Sequence, residues 1–199
     1  MPAAQHPSPD SSLSDWIAAV AAPPPSAAGG SSAAIAAALA AALAAMVADL
    51  TRAKESYAPQ HERARHVLER AAPLRTELLA LAVRDAEAFE NFLVTRGDAR
   101  TQALREAAAV QHELLERAVS VGDLAATMAD VGVRSALGDA ATSAFLAAAA
   151  ARSAYWAMRA DLDSTQADSR SMLSSGLELV EKAEAAEWRV RQILNERIR

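Results

Sequence analysis

Cysteine is absent from the 199-residue chain. That removes disulfides, thiol nucleophiles and thiolate metal sites together, and it agrees with a reducing, cytoplasmic setting. Aromatic residues are scarce, with three Trp, two Tyr and three Phe. Strands favour aromatic and β-branched side chains, while Ala, Leu, Glu and Arg dominate here and favour helix. The composition therefore predicts an all-α protein. Basic residues are missing from the start of the chain: Arg52 is the first, preceded among charged residues only by Asp10, Asp15 and Asp49. A secretory signal needs a basic segment ahead of its apolar run, so none is expected. A net charge of −5 argues against nonspecific nucleic-acid binding. The uncharged run from Ala33 to Ala48 falls short of the about 20 residues that span a membrane, and alanine is a weak hydrophobe. A buried helix, with no membrane contact, is the expectation.

Recognisable catalytic signatures are also lacking. The four histidines are His6, His61, His66 and His112, and the spacing of His61 and His66 puts them on different helix faces. No HExxH, paired ExxH, phosphate loop, GxGxxG or GxSxG pattern occurs. No metal site and no required cofactor are expected.

What is there is organised around Pro23 to Leu50, where prolines and Gly29-Gly30-Ser31-Ser32 lead into a long alanine helix. A helix beginning near Ser31 offers unpaired N–H groups and partial positive charge, hence an anion site. The larger residues Ile35, Leu39, Leu43, Met46 and Leu50 share one face and alanine covers the rest. A helix apolar all round is buried, which places it at the centre. Met1 to Asp10 is expected to be disordered, and residues 11–199 to form a single domain. Ser11 or Ser12 caps a short helix, Leu13 to Ala22, whose Leu13, Trp16, Ile17 and Val20 form a body-facing stripe. Further helices are predicted from Gln60 to Thr95 with a kink at Pro73, from Ala99 to Val121 with a break at Gly122-Asp123, and from Leu124 or Thr127 to Asp161. Phe145, Leu146, Tyr155 and Trp156 are the larger packers of that helix. Gly97 reads as a C-cap glycine with Asp98 as the next N-cap. The last helix begins near Ser164 or Ser169 and carries a coiled-coil-like stripe of Leu179, Ala183, Ala186, Val190 and Ile193. The whole is an up-down bundle of about six helices.

Three features stand above this scaffold. Gly29-Gly30-Ser31 is either a ligand-binding loop or an ordinary cap. Asp85, four residues before Phe89, is either an acid beside an apolar wall or part of a surface network with Arg84, Glu87 and Arg96. Asp130, between apolar neighbours, is either a buried acid in a cleft or a first-turn aspartate favoured by a helix dipole.

These pieces, taken in order, resemble the cyclodeaminase/cyclohydrolase family. The resemblance rests on Gly29-Gly30-Ser31 with Ala33-Ala34, on Met46-Val47-Ala48-Asp49-Leu50-Thr51 with Lys54 and Tyr57, on Asp85 with Ala88-Phe89, and on Asp130-Val131-Gly132-Val133. It implies a homodimer and a reduced-folate substrate, formimino- or methenyl-tetrahydrofolate. Ammonia would be lost on ring closure, or water added on ring opening. It implies Asp85 and Asp130 as acid/base catalysts, and Gly29, Gly30, Ser31 and Lys54 as substrate-binding residues, all in one cleft. The chain departs from the family pattern at Ala27, Ala28, Ala53, Glu55 and Ala129, and its Ala157-Met158-Arg159-Ala160-Asp161-Leu162 stands where the pattern reads Asn-Val-x-Ile-Asn-Leu. Polar groups around a folate are thus fewer. A relative acting on a non-folate substrate (a lyase, deaminase or cyclase of specialised metabolism), or a non-catalytic helical interaction protein using the C-terminal stripe, are the alternative expectations.

Overall fold

The structure, a computed structural model, describes residues 7–23, 27–163 and 166–198. It is an all-α bundle of six helices: α1 (Leu13–Ala21), α2 (Gly29–Arg52), α3 (His61–Val94), α4 (Gly97–Val131), α5 (Leu137–Asp161) and α6 (Ala167–Arg197). Short 3-10 turns, Glu55–Gln60 and Arg134–Ala136, link α2 to α3 and α4 to α5. Of the expected disordered segment, Met1 to His6 lies outside the described residues; Ser11 N–H bonds back to the Ser8 carbonyl in a turn.

Helix α1 starts where the sequence places it. The Ser12 hydroxyl accepts the Asp15 N–H and the Asp15 carboxylate accepts the Ser12 N–H, a complete capping box. Its stripe is only partly inward: Trp16 is buried, while Leu13 and Ile17 are mostly exposed.

Helices α2 to α6 alternate in direction, and α4 occupies the middle, touching α2, α3, α5 and α6. This corrects the expected central place of α2. Its alanines (Ala33, Ala34, Ala37, Ala38, Ala40, Ala41, Ala44 and Ala48) are the buried face, and they let α3 and α5 approach closely. Its larger residues face outward: Leu39 is 50%, Met46 40% and Leu50 43% exposed. By length and apolarity α2 is a candidate membrane span, with half of its apolar window buried in the bundle. Similarly in α5, Phe145 and Trp156 lie at the surface while the alanines and Tyr155 pack inward.

The expected break at Gly122 does not occur; α4 runs unbroken to Val131 and α5 begins only at Leu137. Gly122 is buried, and a Cβ there would stand 3.4 Å from that of Ala186 on α6. Its small size serves helix contact rather than a turn. The break comes instead at Gly132, where a Cβ would come within 2.9 Å of Val47 Cγ1 on α2. Pro73 lies within one continuous α3. Gly97 takes a left-handed φ of 57°, as a turn glycine does, but Thr95 is the C-cap of α3 and Asp98 sits in the first turn of α4. In α6, Ala183, Ala186 and Val190 are buried, so the C-terminal stripe is used within the chain, against α4 and α5.

Candidate active site at the start of α2

Helix α2 begins at Gly29, and its N-cap residue, Ala28, has no side chain able to satisfy the first-turn N–H groups. Asp85 of α3 takes up one of them, that of Ser31, from outside. Its Oδ2 accepts from the Ser31 N–H at 2.6 Å and from the Ser31 hydroxyl at 2.6 Å. Its Oδ1 accepts from Nε2 of Gln111 on α4. Ser31, expected near the helix start, is a buried third-position residue that ties α2 to α3. The anion site foreseen at this helix start is therefore filled by the protein's own carboxylate. Of the two readings of Asp85, the inward one holds: Arg84 pairs instead with Glu113 at 2.6 and 3.0 Å, leaving Asp85 against the cavity wall.

Gly30 is needed for this contact. A Cβ at that position would overlap Asp85 Oδ1 and Gln111 Nε2, and would lie 2.6 Å from Asp85 Cγ. Neither Gly29 nor Gly30 adopts a left-handed φ, so close approach, not backbone freedom, explains Gly30. A Cβ at Gly29 would meet no heavy atom within 4 Å, and this residue simply leaves the cavity rim open.

A cavity of about 210 Å³ opens beside this junction. Phe89, Phe92, Leu104 and alanines of α4 and α5 give it apolar walls, and Asp85, Gln111 and Asp161 supply its polar side chains. Burial pushes the Asp85 carboxyl above its usual range, partly offset by the hydrogen bonds from Ser31 and Gln111 that favour the charged form. Asp161, the last residue of α5, has no hydrogen-bond or ion-pair partner for its carboxyl among the described residues. Burial first, and the neighbouring Asp85 charge second, push it up to about 6. Two carboxyls with raised affinity for protons thus share one apolar cavity.

Asp130 and Lys54 lie elsewhere. Asp130 is exposed beside Arg63, 3.4 Å away, at the opposite end of α2, about 30 Å off at the usual rise of about 1.5 Å per residue. Its motif builds a joint: the Val133 N–H bonds to the buried Thr51 hydroxyl at 3.1 Å, the Arg134 N–H to the Tyr57 hydroxyl at 3.1 Å, and Arg197 holds the Ala129, Asp130 and Gly132 carbonyls. Lys54 is exposed in the same region and lends its carbonyl to His61 Nε2. One chain therefore brings Gly29, Gly30, Ser31 and Asp85 together and leaves Asp130 and Lys54 apart, correcting the expected single cleft.

Sequence reasoning missed Gln111 and Asp161. Gln111 is 2% exposed, and a glutamine amid Val110, Leu114 and Leu115 on an inward face was the available signal. Asp161 stood in view as an acid at an amide position of the family pattern. Among the described residues no group of three His, Asp or Glu could hold a metal.

The sequence model of the formiminotransferase-cyclodeaminase family matches residues 12–173. The chain belongs to that family. No curated protein sequence matches it. Among solved structures, the chain is similar to formiminotetrahydrofolate cyclodeaminase from Thermotoga maritima, with a TM-score of 0.89 and 25% identity over 96% of this chain and 98% of that one. The match spans all six helices, so the cavity at the start of α2 sits within the shared fold.

Proposed function

We propose that this family member is a cyclodeaminase-like enzyme acting at the one-carbon unit of a reduced folate, with Asp85 and Asp161 moving the protons. The observation that carries this reading is the pair of carboxyls with raised proton affinity in the cavity beside Gly30. Ring closure needs a folate N–H to add to the carbon of the protonated formimino group (–CH=NH2+). A new C–N bond forms and gives a tetrahedral adduct. One proton leaves the attacking nitrogen and one reaches the departing nitrogen, which is expelled as ammonia, leaving the methenyl carbon. Asp85 is held in place by Ser31 and Gln111, while Asp161 has no such ties, so Asp161 is the freer proton carrier. Water addition to a methenyl carbon uses the same two groups in reverse order. The cavity volume is below the about 300–1,000 Å³ of sites that enclose drug-sized ligands. It suits the reacting end of a folate, with the remainder outside. The test is the absorbance of the methenyl product: purified protein should form it from formimino-tetrahydrofolate, or hasten its hydrolysis. No acceleration over buffer in either direction would reject the reading.

We further propose a homodimer through the outer face of α2. Ile35, Leu39, Leu43, Met46 and Leu50 run symmetrically about a point between Ala42 and Leu43, with Ile35 mirroring Leu50 and Leu39 mirroring Met46. A two-fold axis at that point pairs two antiparallel α2 helices and makes the row complementary to itself. It also sets the Lys54 end of one copy beside the Gly30 end of the other, giving Lys54 a route to substrate. Sedimentation or light scattering should show a dimer, and a monomer at micromolar concentration would overturn the arrangement.

A further inference from the structure

The cavity beside Gly30 holds unused hydrogen-bonding groups of both kinds. The donors come from the first turn of α2, whose N–H groups need partners outside the helix. Ser31 N–H is taken by Asp85, and Ser32 N–H bonds to the Ala28 carbonyl. The Gly29 and Gly30 N–H groups have no hydrogen-bond partner among the described residues, and both glycines line the cavity. The acceptor comes from α4. Gln111 lines the same cavity and is 2% exposed. Its Nε2 is committed to Asp85, and that carboxylate fixes which way the amide points. Its Oε1 is left buried with no partner among the described residues. The two sets are neighbours, because the Gln111 amide occupies the space that a Gly30 Cβ would need. A helix start alone names no ligand. Two free donors beside an orphaned buried acceptor, in a cavity with room to spare, call for a small group that both donates and accepts. A buried water makes about three hydrogen bonds to groups of this kind.

We propose that Gln111 Oε1 and the N–H groups of Gly29 and Gly30 hold one oxygen atom, that of a water molecule, and that Gln111 aims this water at the one-carbon unit of the substrate. The inference rests on the folate reading for the electrophile and deepens it by naming the nucleophile. The water donates one hydrogen to Gln111 Oε1. One lone pair accepts a glycine N–H, and the other is free to attack a methenyl carbon. As the C–O bond forms, Asp161, mostly ionised at pH 7.5 with its value of about 6, takes a water proton. The neutral hydroxyl adduct then collapses. The ring nitrogen takes that proton back as its bond to carbon breaks, and the hydroxyl proton leaves through Asp85 to solvent. The product is a formyl group, whose oxygen has two lone pairs for the two glycine N–H groups, so their hold strengthens as the reaction proceeds. Nitrogen fits this place poorly. Ammonia spends its single lone pair on the attack, and a protonated formimino nitrogen has none to offer. Gln111 therefore biases this member toward water addition.

The test compares the intact native protein with Gln111→Met at pH 7.5 in two reactions, hydration of methenyl-tetrahydrofolate and ring closure of formimino-tetrahydrofolate. Both use Asp85, so both should slow when its Gln111 donor is lost. Hydration should lose about tenfold more in kcat than ring closure does, with KM for the methenyl substrate changed less than about threefold. Equal losses would mean that Gln111 acts only through Asp85, and would overturn the proposal; so would a native protein that closes the ring but does not hydrate. A second measurement needs no substrate. Water–amide cross-relaxation by NMR on the ligand-free protein should show, at the Gly29 and Gly30 amide protons, a water with the sign of a bound molecule, lost in Gln111→Met. No bound water at either glycine in the native protein would overturn the proposal even if the variant fails to fold. The two measurements separate the ideas: bound water without turnover of either folate ends the folate reading alone, whereas turnover without bound water ends this one alone.

Discussion

Asp85 and Asp130 occur in motifs of similar weight, yet the two ends of the bundle treat them oppositely. At the Asp85 end the carboxylate faces inward, receives neutral donors from Ser31 and Gln111, and has a second acid as its neighbour. At the Asp130 end the carboxylate faces water across from Arg63, and the surrounding hydrogen bonds close helix ends. Burial without a cation raises proton affinity and leaves chemistry to be done. An exposed ion pair of the second kind is worth about 0.2–1 kcal/mol and settles a surface. The difference is one of neighbours, not of residue type.

The largest expected contrast is catalytic. Asp85→Asn should lower the rate of methenyl formation by about 10²–10⁴, the range for loss of a positioned acid/base group, while Asp130→Asn should cost less than tenfold. Comparable losses would erase the distinction between the two ends. Next in size is Gly30→Val. Its side chain enters space held by Asp85 and Gln111, and overpacking of this kind costs about 1–3 kcal/mol. Gly29→Ala, with open space around it, should instead match or slightly exceed the native melting temperature. Thermal unfolding of the two variants compares neighbouring glycines directly.

A smaller effect, of opposite sign, belongs to Asp161. Its folded value of about 6 lies above its usual 3.8, so the native state favours the protonated form. The resulting destabilisation is absent below about pH 4, grows between the two values, and is complete above about pH 6. Asp161→Asn should therefore stabilise the protein at pH 7.5 by about 1 kcal/mol, after allowance for the partial exposure of the group, or about 2–4 °C. The gain should vanish at pH 4. The smallest change is expected from Asp130→Asn, within about 0.5 kcal/mol at either pH, as for an ordinary surface substitution.

The helical class, a serine cap at the start of α1, the long α3 and the pairing of Gly30 with Asp85 were legible in the sequence because each rests on local pattern or on motif order. The centre of the fold was not. Hydropathy ranks Leu39 and Met46 above alanine, and so assigned them inward, but close approach of α3 and α5 selects for small size rather than for hydrophobicity. Gly122 misled for the same reason: a glycine that admits Ala186 looks, in one dimension, like a helix stop. The separation of Asp130 from Asp85 was hidden because motif order carries no information on which end of an antiparallel helix a residue occupies. Gln111 and Asp161 were passed over because a polar residue in an apolar run is recognised as a site only once its partners, or the lack of them, are known.

The alanine face of α2 has a further consequence. Alanine has no rotamers to lose, so packing Ala33, Ala37, Ala40, Ala44 and Ala48 against the bundle freezes backbone and almost no side-chain motion. The leucines and methionine on the outer face keep their conformational freedom in the isolated chain. The interior of this helix is therefore ordered at little side-chain entropic cost, and its specificity is steric: it rejects any added methylene rather than rewarding a particular shape. Variation is left to the outer face, where side chains can change size without disturbing the wall that holds Ser31 against Asp85.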